Sequence, residues 1–143
     1  MAFQLAHWRD SGITLAIYSS GSVFAQKLLF GHVKDSTSST GKRNLQDLIS
    51  DWFDTSNAGP KTDKGSYEAI AQKLGKQAGT VLFLSDNVKE VEAAVQAGMK
   101  AIVVERPGNA PLTEQAREKF RVVDSLHEIS LSIAQIDSRF WKR

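Results

Sequence analysis

Three short stretches of this sequence set oxygen and nitrogen groups where they could handle an anion. The first is Ser19-Ser20-Gly21-Ser22. Its hydroxyls and the amides of its turn suit phosphate oxygens, because the first N–H groups of a helix lack partners and the helix dipole favours negative charge there. Simple capping of a helix uses the same groups equally well. The second is Gly59-Pro60-Lys61, a rigid turn that could aim the lysine ammonium at a phosphoryl group as a point charge. A solvated surface lysine is the competing reading. The third is Ser85-Asp86. Asp86 ends an apolar run, where a carboxylate needs a cation or hydrogen bonds, so a magnesium ligand and a helix N-cap are comparable readings. Glu90 lies one helical turn on and could orient Lys61 or a metal-bound water, or sit exposed on its helix.

The elements that must position these groups can be read from periodicity. Residues 13–18 form a short, β-branched, mostly apolar run after Gly12, which reads as a strand buried on both faces. Val23, Ala25, Leu28 and Leu29 then suit a helix that Ser22 can cap and Gly31 can end. Residues 34–43 are rich in Ser, Thr and Lys and read as a solvated loop. Leu45, Leu48 and Ile49 suggest one or two helical turns before a very short strand at Trp52-Phe53, which delivers Asp54 into the loop ending at Lys61. Tyr67, Ile70, Ala71 and Leu74 predict a helix over residues 66–74, and residues 81–84 a second buried strand. Val88, Val91, Ala94 and Val95 make a helical stripe ending at Gly98, and residues 101–104 a third buried strand. Alternation of continuous apolar strands with helices predicts an α/β fold with a parallel sheet covered on both faces. Ligand chemistry then belongs at the C-terminal ends of the strands, where Ser19, Ser20, Lys61 and Asp86 fall and could converge on one ligand.

Composition narrows the classes of partner. With 143 residues the chain fits one domain, and a hydrophobic fraction of 41% beside 24% charged residues is ordinary for a globular protein. The net charge of +2 is small and its lysines and arginines are spread along the chain, so nucleic acid is not an expected partner. Zero cysteines exclude disulfides, thiolate chemistry and cysteine-based zinc sites. The apolar runs are too short for a membrane span and the start has no signal-peptide core, which sets a cytoplasmic expectation. His7, His32 and His127 are scattered without metal-ligand spacing and receive no catalytic role. Trp8 and Trp52 read as packing residues.

Taken together, Ser-Ser-Gly after the first strand, Gly-Pro-Lys before a helix and Phe-Leu-Ser-Asp at the next strand resemble the motifs of haloacid dehalogenase-like phosphatases, in their usual order. The runs IYSSGSVFAQKLLFGHV (residues 17–33), FDTSNAGPKT (53–62), VLFLSDNVKEVEAA (81–94) and RPGNAPL (106–112) resemble more narrowly the enolase-phosphatases, also called acireductone synthases. That resemblance implies a Rossmann-like core at residues 1–133, with residues 134–143 as a C-terminal tail. It implies that Ser19 and Ser20 bind the substrate phosphate, Lys61 neutralises the phosphoryl group and Asp86 coordinates Mg2+, the family's cofactor. The implied reaction, in methionine salvage, enolises a diketo-methylthiopentyl phosphate and then removes its phosphate. The implied partner is a small phosphorylated substrate, and the implied state a monomer.

One part of the resembled pattern is missing from the sequence. The family's nucleophilic aspartate stands in an Asp-x-Glu-Gly-Thr motif after an apolar strand, and no such run occurs in residues 1–143. Asp63-Lys64-Gly65-Ser66 follows a Gly-Pro loop and lacks the second acid, so it cannot substitute. The expectation is a core without its first strand and helical cap, inactive alone, with unpaired strand edges that favour association. A truncated module that binds a phosphorylated ligand or a partner is the alternative. A receiver domain shares the fold class but needs an acidic pair after its first strand.

Overall fold

The computed structural model describes residues 2–20, 23–31, 33–34, 42–43, 46–105, 111–124 and 128–129. The chain divides into two units, Met1–Gly59 and Pro60–Arg143. Ser22, His32, Leu45, residues 106–110, His127 and the 134–143 tail lie outside the described residues.

In the first unit, helix α1 (Ala2–Asp10) buries Leu5 and Trp8. Its end is closed by Ser11 and Gly12, and the Ile13 amide donates to the Trp8 carbonyl at 3.0 Å. Ile13 therefore finishes the helix turn rather than starting a strand, and the predicted run shortens to β1 (Ala16–Tyr18). Strand β4 (Asp51–Phe53) pairs with β1 in parallel, Tyr18 opposite Phe53. Ala16 is exposed while Ile17 and Tyr18 are half-buried, so β1 is not covered on both faces as expected. Among the described strands it pairs on one side alone. A single 3-10 turn, Gln46–Leu48, stands where one or two helical turns were predicted.

Helix α2 (Val23–Phe30) forms as expected. Among the side chains of α2 that are described, Phe24, Ala25 and Leu28 are exposed and Gln26 is buried, its Nε2 donating to the Phe53 carbonyl at 2.8 Å. A buried amide satisfied by a main-chain acceptor costs little. The polar segment beyond α2 contains an antiparallel ribbon of β2 (Val33–Lys34) and β3 (Lys42–Arg43), so the ends of the predicted loop are paired.

The second unit is a repeated strand–helix pattern. Helix α3 (Lys64–Leu74) begins two residues before the predicted start, because Asp63 caps it by accepting from the Gly65 amide. It ends at Gly75, whose φ of 68° lets its amide reach back to the Ala71 and Gln72 carbonyls. Strand β5 (Leu82–Ser85), helix α4 (Val88–Gln96), strand β6 (Lys100–Val104), helix α5 (Glu114–Lys119) and strand β7 (Val122–Val123) follow. The sheet order is β5-β6-β7, all parallel, with Ser85 opposite Val103 and Val104 opposite Val123.

Central position explains burial here. Residues 101–104 of β6 are fully covered, as predicted, whereas every residue of β5 is only half-buried. β6 has a strand on each side, and β5 pairs with β6 alone among the described strands. Ile102 and Val103, with Val91 and Ala94 of α4, form the centre of this core. Truncating Ile102 to Ala should cost about 2–5 kcal/mol by transfer and cavity terms, and Leu82→Ala clearly less. Urea denaturation followed by circular dichroism measures both, and equal losses would contradict the one-sided cover of β5.

Candidate functional site

In the second unit the expected residues Lys61 and Glu90 meet directly, and Glu90 is bonded to Ser85, the residue before Asp86. The Lys61 ammonium pairs with Glu90 Oε1. The Ser85 hydroxyl, at the end of β5, donates to Glu90 Oε2 at 3.1 Å and itself accepts from the Asn87 amide at 3.1 Å. The result is a continuous chain from Lys61 through Glu90 to the β5–α4 turn. Glu90 is buried at 6% exposure, so it is not the solvated helix residue that sequence statistics favour. A carboxylate so placed is tolerated because both oxygens have partners, one of them cationic. The Lys61 side chain retains 25% exposure, which leaves an approach for a ligand. An ammonium has three donors, so it can engage Glu90 and a further anionic acceptor together.

Asp86 stands exposed on the turn after β5. It does not cap α4. That position belongs to Asn87, whose side chain accepts from the Lys89 amide at 2.9 Å. Of the two readings of Asp86, the N-cap is thus removed. Among the described residues no group of three or more His, Cys, Asp or Glu side chains could hold a metal ion by itself. His7 is exposed on α1.

In the first unit Ser19 is half-buried and Ser20 exposed, directly after β1. The Ser19 amide and the Gln26 side chain both donate to the Phe53 carbonyl, at 3.1 and 2.8 Å. This fixes the start of the serine turn to the end of β4. Beyond β4 the buried Asp54 organises its own loop, accepting from the Ser56 and Asn57 amides at 2.9 Å each. Asn57 returns the bond by accepting from the Asp54 amide at 2.8 Å. The loop closes when the Tyr18 hydroxyl donates to the carbonyl of Gly59, a residue at φ 109°, which favours glycine.

Sequence reasoning found Lys61, Asp86 and Glu90 but assigned Ser85, Asn87, Gln26 and Asn57 no role of their own. The available signal was local. Asp and Asn after short strands favour self-closing turns, and Asn87 opens the α4 pattern as an N-cap should. Gln26 had no signal, since its acceptor lies on another element.

Removing one member of the ion pair leaves a buried charge uncompensated. Lys61→Met should lower the stability of the second unit by roughly 2–4 kcal/mol, while the double variant Lys61→Met/Glu90→Leu should recover most of it. Chemical denaturation of the four proteins completes the cycle; additive losses would show that the two groups are not coupled.

Comparison with known proteins identifies the family. The sequence model of the haloacid dehalogenase-like hydrolases matches residues 5–98. Enolase-phosphatase E1 of Neurospora crassa is 56% identical over 131 residues, covering 90% of this chain and 54% of that protein. The Yarrowia lipolytica protein of the same name is 53% identical over 122 residues, covering 85% of this chain and 49% of its own length. The chain thus spans about half the length of the curated relatives it matches. Among solved structures, the UTR4 protein of Saccharomyces cerevisiae superposes with a TM-score of 0.77 at 37% identity, over 87% of this chain and 54% of that one. A dehalogenase crystallised with an intermediate gives 0.65 at 26% identity, over 89% and 52%. With its parallel α/β units, the chain belongs to the haloacid dehalogenase-like hydrolases.

Proposed function

We propose that this chain is part of a phosphohydrolase of the enolase-phosphatase type, acting in methionine salvage on a diketo-methylthiopentyl phosphate. The observation that supports this most directly is the Lys61–Glu90–Ser85 chain beside Asp86. In this reading Lys61 offsets the charge on the phosphoryl oxygens. Glu90, held by Ser85, keeps the ammonium from folding onto other acceptors. The exposed hydroxyl of Ser20 and that of Ser19 are assigned to phosphate oxygens, a reading favoured by their position directly after β1.

Asp86 offers a hard carboxylate oxygen from an exposed turn, which fits one ligand of Mg2+. That ion is commonly held by one or two carboxylates with waters and substrate phosphate rather than by an all-protein cage. When bound, it would supply further positive charge to the phosphoryl group. The resembled mechanism needs an aspartate nucleophile from an Asp-x-Glu-Gly-Thr run, and residues 1–143 contain none. Residues 1–143 by themselves are therefore proposed to bind the phosphorylated substrate without turning it over.

Two measurements test this. Calorimetry with the phosphorylated diketone should give binding that weakens roughly tenfold or more in Lys61→Met, the value of a charge-assisted hydrogen bond. Equal binding by the two proteins would end the assignment of Lys61. Phosphate release, followed by 31P NMR, should be absent. Release that disappears in Asp86→Asn would show instead that this chain is a working enzyme.

A further inference from the structure

The ion pair accounts for the tip of Lys61 but not for its main chain. The turn that carries it, Pro60-Lys61-Thr62, lies outside regular structure, and an ammonium at the end of a four-carbon stem is placed well only if its backbone is also fixed. Two side chains of the first turn of α3 reach back to that segment. The Ser66 hydroxyl donates to the Pro60 carbonyl at 2.7 Å, and the Tyr67 hydroxyl donates to the Lys61 carbonyl at 2.6 Å. Both residues are buried, Tyr67 completely. A tyrosine so fully covered needs a partner for its hydroxyl, and the partner here is the carbonyl of the residue assigned to the phosphoryl group.

The ring of Tyr67 is fixed as well. It meets Phe83 of β5 edge-to-face, with centroids 4.9 Å apart and planes at 71°. β5 ends at Ser85, which holds Glu90, which holds the Lys61 ammonium. Lys61 is thus gripped at both ends by groups referred to one strand: its carbonyl through Tyr67 and Phe83, its ammonium through Glu90 and Ser85.

We infer that Tyr67, assisted by Ser66, is a positioning residue that sets the Lys61 ammonium against Glu90 by fixing the Lys61 main chain. Its purpose rests on the reading of Lys61 as a phosphoryl-binding group; the clamp itself does not. Tyr67→Phe keeps the ring and its contact with Phe83 and deletes only the hydroxyl, which makes it the informative change.

The experiment is competitive acetylation of the 143-residue chain, with the rate at each lysine read by peptide mass spectrometry. Acetylation requires the amine to leave the Glu90 carboxylate, so it reports how firmly Lys61 is held. In Tyr67→Phe, Lys61 should label roughly fivefold faster, the equivalent of about one net hydrogen bond, while the exposed Lys76 and Lys89 keep their rates. Ser66→Ala should act in the same direction by a smaller factor and decides the matter if Tyr67→Phe does not fold. An unchanged Lys61 rate, or a rise shared by all three lysines, overturns the inference, because the hydroxyl would then serve nothing or the whole unit. Added inorganic phosphate separates the two claims. Failure of phosphate to slow Lys61 labelling in the unaltered chain counts against the phosphoryl reading, while the clamp stands or falls on the variant.

Discussion

A buried carboxylate is the constraint around which the second unit is arranged. Glu90 lies on the inward face of α4 at 6% exposure, and a carboxylate there is expensive unless its charge is matched and its lone pairs are used. Lys61 supplies the charge and Ser85 the hydrogen bond. Meeting that one demand brings together the loop after Gly59, the end of β5 and the first turn of α4. The same grouping links the Lys61 ammonium, through Glu90 and Ser85, to the turn that carries the exposed Asp86.

The demand also dictates how α4 sits. An apolar stripe alone would turn Val88, Val91, Ala94 and Val95 inward, yet Val95 is 44% exposed and Glu90 and Ala93 are buried. The helix packs on β5 and β6, with Val91 and Ala94 against the sheet and Glu90 turned toward Ser85. Hydrophobic burial sets the approximate face, and the ion pair sets the rotation within it. Asn87 then takes the N-cap, leaving Asp86 exposed on the turn before it.

The first unit solves a different problem without an ion pair between its described residues. The Phe53 carbonyl, at the end of β4, receives both the Ser19 amide and the Gln26 side chain, which ties the serine turn to the neighbouring strand without any charge. Asp54 and Asn57 close the next loop on themselves through reciprocal bonds. Short polar side chains are suited to this work because they can satisfy nearby main-chain groups without a distant partner. In both units polar side chains follow strand ends, Ser19 and Ser20 after β1 and Asp86 after β5, where main-chain pairing stops.

The sequence by itself determined the alternation of strands and helices, the parallel class of the sheet, and the locations of Ser19, Ser20 and Asp86 just past strand ends. Periodicity and turn chemistry are local, and neighbouring residues suffice to express them. Only the tertiary structure decided that Ile13 completes a helix turn, that Gln26 of α2 is buried, and that among the described strands β5 has one neighbour while β6 has two. It alone decided that Glu90 is buried against Lys61 rather than solvated on its helix. Each of these depends on a partner from another element: the Trp8 and Phe53 carbonyls, a second flanking strand, and an ammonium. The free energy of burying a polar group is set by that partner, which no stretch of neighbouring residues contains.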